Sequence, residues 1–129
     1  MPRPKTPEPR TFLTKDGQYP FGPFVPETPL YALAAALFAW NVLAYMDGTL
    51  SIMGDAPTNF QQDPNVTSLL KKAEASAAVM SRILNGVAYP DMTTIAKLEA
   101  YTGADLWGTH HERMELLDGN YNPSRRQYR

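Results

Sequence analysis

The chain of 129 residues contains no cysteine. Disulfide bridges, zinc ribbons and thiol catalysis are therefore excluded. Histidine is nearly absent as well. His110 and His111 are adjacent, cannot meet one ion from a single helical face, and leave no metal site to expect. No glycine-rich loop that could cradle phosphate is present, and Ser51, Ser68, Ser76, Ser81 and Ser124 lack a nucleophile-elbow context. The chain therefore reads as a non-enzyme with no cofactor and no small-molecule ligand. There is no excess of either charge, with 12 Lys and Arg against 13 Asp and Glu. A uniformly basic nucleic-acid binder would not look like this. The N-terminus lacks an apolar stretch followed by a small-residue cleavage site, so a cytoplasmic location is expected.

Hydrophobic residues make up 43% of the chain, enough for a core in one compact domain. The charge is unevenly spread. Residues 1–15 hold Arg3, Lys5, Arg10 and Lys15 against Glu8 alone. Residues 120–129 hold Arg125, Arg126 and Arg129 with no acid, so the middle of the chain is acidic. Basic ends on a less basic body suit a DNA-binding protein with arms, and equally suit solvated tails.

Eight of the 12 prolines fall within residues 1–29, a spacing through which no helix can run. This segment is expected to be an extended arm. Residues 1–10 should be mobile, while Phe12, Leu13, Tyr19, Phe21, Phe24 and Val25 should draw residues 11–29 against the body. Leu30–Met46 reads as a helix, opened by Thr28-Pro29 and ended by Asp47-Gly48. It is apolar almost all round, which fits a central core helix or a dimer interface. Seventeen residues with Asn41 among them make a poor bilayer span, so no membrane role is expected.

Thr49–Met53 could form a short strand, and Gly54–Pro64 is a loop by composition. Helices are expected over Thr67–Ala75, Ala77–Leu84, Met92–Thr102 and Thr109–Leu117, the last one solvated with His110, His111 and Glu112 exposed. The fold class expected is all-α. Its divisions are an arm at 1–29, a helical body at 30–118 and a basic tail at 119–129.

The informative stretch is Asn65 to Gly86. Leu69, Leu70 and Ala73 give its first helix an inward face, and the small Ala73 permits a close crossing. Ser76 can cap the second helix, which Val79, Met80 and Ile83 anchor inward. Ala77, Ala78, Ser81, Arg82 and Asn85 form the other face, and Asn85-Gly86 is a left-handed stop. Two short helices at a steep angle, the second with a small polar face, are the device that enters a major groove.

This stretch resembles the helix-turn-helix of the lambda-repressor/Cro family of transcriptional regulators, above all in Met80-Ser81-Arg82-Ile83-Leu84-Asn85-Gly86. The likeness continues through Tyr89-Pro90 and Met92–Trp107, and covers a third of the chain. It departs from the family in two places. Glu74 or Ala75 stands where the turn usually has glycine, at a cost of about 1 kcal/mol if that turn needs a positive φ. A long loop also separates Leu30–Met46 from the motif.

The resemblance implies a sequence-specific binder of double-stranded DNA, a small repressor of the kind temperate phages use for immunity or the lytic switch, working in a bacterial cytoplasm. It implies base contacts from Ser76, Ala77, Ala78, Ser81 and Arg82, and phosphate contacts from Asn65, Thr67, Lys71, Lys72 and Asn85. Because residues 65–107 carry as many acids as bases, added attraction is expected from Arg3, Lys5 and Arg10 or from Arg125, Arg126 and Arg129. A homodimer and a monomer with arms are equally compatible with the sequence. The rival class is a helical module that binds a protein, such as an antitoxin or a phage adaptor.

Overall fold

The computed structural model describes residues 6–49 and 66–125. The strand proposed at Thr49–Met53 and the loop Gly54–Pro64 lie almost wholly outside the described residues. The fold is built on helix α1, Leu30–Asp47, in which every residue from Ala32 through Ala39 is buried. Its alanines let neighbours approach closely on several sides at once. One side packs Phe38, Val42, Ala44 and Tyr45 against Leu70, Ala73, Met80, Ile83, Leu98 and Leu106. The other packs Leu33, Ala36 and Leu37 against Phe24, Leu116 and Tyr121. Each large side chain so buried contributes about 1.5–3 kcal/mol. By length and composition α1 could cross a membrane, but 67% of it is buried inside the protein, as a core helix is. Gly48 ends it with φ 73°, its N–H donating back to the Tyr45 carbonyl. Its start differs from expectation. Thr28 does not cap the helix, because its hydroxyl donates to the Val25 carbonyl instead.

The proline-rich segment also differs, and the chain is not all-α. A 3-10 turn at Pro9–Phe12 leads into an antiparallel hairpin of β1, Leu13–Gln18, and β2, Gly22–Phe24. Proline lacks a donor, but a two-stranded ribbon has only edges, so Pro23 costs it little. Phe24 is the buried tooth of this ribbon, set beside Leu33 and Leu116. Residues 7–10 are held as well. Pro9 is buried, the Arg10 N–H donates to the Gly86 carbonyl at 3.1 Å, and the Tyr89 hydroxyl donates to the Pro7 carbonyl at 2.8 Å. Residues 1–5 of the segment expected to be mobile lie outside the described residues, while residues 7–10 are tied down by partners some 80 residues away along the chain.

Among the described residues, four shorter helices follow: α2, Val66–Ala73; α3, Ala77–Leu84; α4, Met92–Thr102; and α5, His110–Leu117. Asp91 caps α4 by accepting from the Thr94 N–H, and Gly103 closes it in the left-handed conformation. The start of α5 was expected to be solvated, yet Glu112 is buried. It forms a reciprocal capping box with Thr109, accepting from the Thr109 N–H at 3.0 Å while its own N–H donates to the Thr109 hydroxyl. Arg113 lies over the Trp107 ring and donates to the Trp107 and Gly108 carbonyls. The start of the expected basic tail is likewise part of the body. Tyr121 and Pro123 are buried, and the 3-10 turn Pro123–Arg125 packs against α1.

Candidate nucleic-acid interface

Helices α2 and α3 are joined by only three residues, Glu74, Ala75 and Ser76. The turn does need a positive φ, and Glu74 adopts it at 59° without being glycine. The Ala75 N–H donates to the Leu70 carbonyl, and the Glu74 carbonyl accepts from the Lys97 ammonium of α4 at 3.0 Å. Ser76 then caps α3 through the Val79 N–H. The turn is thus fixed from both flanks and from α4.

Met80 and Ile83 are fully buried and set the phase of α3. Ser76, Ala77, Ala78, Ser81, Arg82 and Asn85 all lie on its exposed face. Val79, expected to point inward, is 39% exposed and joins that face. The reason is geometric: with Met80 and Ile83 three apart facing the core, position 79 falls at the stripe's margin. The face therefore combines small residues, one branched apolar side chain and one cation. Among the described residues nothing hydrogen-bonds or ion-pairs with the Arg82 guanidinium, whereas Asn85 is partly committed. Its amide donates to the Ser81 carbonyl at 2.8 Å, closing the C-terminal end of α3.

Lys71 and Lys72 are exposed at the end of α2. Thr67 lies in the first turn of α2, with its side chain outside what is described. Asn65, Arg3, Lys5, Arg126 and Arg129 lie outside the described residues. Of the terminal cations, Arg125 sits in the turn against α1, while Arg10 is brought to the end of α3. An ideal Cβ placed on Gly86 (φ 73°) would lie 2.8 Å from the Cβ of Arg10 and 2.8 Å from Cγ of Tyr19. Neither Arg10's position nor the tyrosines around it could be read from the sequence, because the contacts span most of the chain.

The tyrosines form a cluster in which the Tyr31 and Tyr89 rings lie 5.6 Å apart. Burial, and then the neighbouring Tyr31, pushes the Tyr89 phenol up to about 12. Burial raises Tyr19 further still. Asp91 is held below the usual carboxylate range, first by the hydrogen bond from the Thr94 hydroxyl. Among the described residues no three metal-ligating side chains come together, and His111 faces Glu115 at 3.8 Å.

Comparison with family models, with curated proteins and with solved structures returns no match.

Proposed function

We propose that this chain is a small sequence-specific regulator of transcription, a repressor in its simplest form, that sets α3 into the major groove of duplex DNA. One observation carries the proposal: α3 presents a capped, core-anchored face of small residues around an arginine with no partner among the described residues. Small side chains let a helix sit deep in the groove. Arg82 then meets guanine O6 and N7, a bidentate contact that gives about 1–3 kcal/mol of discrimination. Ala77, Ala78 and Val79 offer apolar surface to thymine methyl groups. Ser76 and Ser81 supply short polar contacts, and Lys71 and Lys72 with the exposed edge of Asn85 take phosphates.

The deciding experiment is selection from a random duplex pool with the wild type and Arg82→Ala in parallel. A defined site is expected for the wild type, relaxed at one G·C pair in the variant. Two-fold symmetry in that site would mean a homodimer, and an asymmetric site a monomer. Enrichment of nothing at moderate salt would overturn DNA reading. It would leave a protein partner, as for an antitoxin or adaptor, which the local balance of charge around α3 favours as the second reading.

A further inference from the structure

The surface around α3 has little net charge, yet phosphate attraction supplies much of the affinity of a DNA-binding protein. The folded N-terminal segment offers a remedy. Arg10 is fixed three times over: by its own N–H on the Gly86 carbonyl, by burial of Pro9, and by the Tyr89 hydroxyl on the Pro7 carbonyl. Its Cβ lies against Gly86, which has no side chain to keep it away. The Arg10 side chain therefore leaves the backbone beside Gly86, two residues beyond the end of α3, on a segment that need not be ordered by binding. Its side chain remains 53% exposed.

Among the described residues, the one ion pair of Arg10 is with Glu8, Nε to Oε1 at 3.0 Å, and Glu8 is itself 43% exposed. An exposed pair of this kind is worth little and exchanges easily. A phosphate offers arginine a stronger, two-pronged partner.

Given that α3 enters the groove as proposed above, we infer that Arg10 is a phosphate clamp at the C-terminal end of α3, and that Glu8 competes with DNA for it. The clamp is a rigid part of the body, not a trailing arm. Glu8 sets its strength, holding the cation when DNA is absent and opposing the incoming phosphate.

The test measures affinity against salt for the duplex enriched by the wild type and for an unrelated duplex of equal length. Arg10→Ala should weaken both by the same factor. Its log–log salt slope should fall by about one, so that a rise from about 50 to about 200 mM salt costs it roughly 3.5-fold less affinity than the wild type. Arg10→Gln keeps most of the stem and should behave like Arg10→Ala. Glu8→Gln should tighten both duplexes several-fold. If the wild type binds the selected duplex and Arg10→Gln matches it in affinity and slope, the clamp is overturned while DNA reading stands. Weakening confined to the selected duplex would make Arg10 a base reader and also overturn it. A wild type that binds neither duplex overturns both proposals.

Discussion

Asn41 and Tyr121, 80 residues apart, meet in the core, where the tyrosine hydroxyl donates to the Asn41 carboxamide oxygen. The Asn41 amide in turn donates to the Leu106 carbonyl at 2.9 Å. One buried polar side chain in the middle of the most apolar helix thus ties α1 to the loop after α4 and to the C-terminal segment. A buried group of this kind is tolerated only when its partners are satisfied.

Asn41→Leu removes two buried hydrogen bonds at once, the one to the Leu106 carbonyl and the one from the Tyr121 hydroxyl. The expected loss is about 2–4 kcal/mol, and for Tyr121→Phe about 1–2 kcal/mol. Urea unfolding of the two variants measures this. An Asn41→Leu chain as stable as the wild type would mean that the network adds nothing.

Glu74→Gly should stabilise the chain by about 1 kcal/mol, because glycine adopts φ 59° without the Cβ clash that glutamate bears. The carbonyl that accepts from Lys97 is unchanged by the substitution. A higher urea midpoint at unchanged slope is the expected result, and a lower one would show that the glutamate side chain has a stabilising role.

The Tyr19 hydroxyl is buried and has no hydrogen-bond partner among the described residues. Tyr19→Phe removes a desolvated polar group while keeping the ring against Gly86, and should gain about 1 kcal/mol at neutral pH. Burial raises this phenol, so the folded chain holds its proton more tightly than the unfolded chain does. The stability from that difference is complete below a pH of about 10 and is lost as pH climbs through the folded value. Tyr19→Phe should accordingly resist alkaline unfolding better than the wild type, as followed by circular dichroism. Equal midpoints would place the alkaline transition elsewhere, with Tyr89 the next to test.

Gly108 shows how tightly the far side is packed. A Cβ there would lie 2.3 Å from Cδ2 of Leu37, at φ 81°. Gly108→Ala should cost more than the ~1 kcal/mol of backbone strain alone, and thermal melting should show a clear loss. A variant that melts with the wild type would mean that α5 can retreat from α1 without penalty.

The helices were legible because their signals are local. Ser76 before α3, Asn85-Gly86 after it, and the apolar run of α1 closed by Gly48 all act within a few residues. The Thr109-x-x-Glu112 spacing is equally local, and its capping-box pattern was available to mark Glu112 as part of the helix start. The hairpin was hidden by its own prolines, which exclude a helix without naming what replaces it. What brings Arg10 to Gly86, or Tyr121 to Asn41, is the packing of distant segments on α1. No periodicity or spacing encodes those meetings.

The C-terminal arginines require a test shaped by that packing. Cutting the chain after Asn120 would remove not a tail but Tyr121 and Pro123, both buried. The truncated chain should lose about 3 kcal/mol or more through the vacated core and the Asn41 carboxamide oxygen deprived of the Tyr121 hydroxyl. Weaker DNA binding by such a chain would say nothing about phosphate contacts. Replacing Arg125, Arg126 and Arg129 together by alanine keeps the packed residues and should leave stability within about 0.5 kcal/mol of the wild type. With folding intact, a shallower salt dependence of DNA affinity reports how many of the three meet phosphate. An unchanged slope would assign the missing attraction to Arg10 and to the lysines of α2.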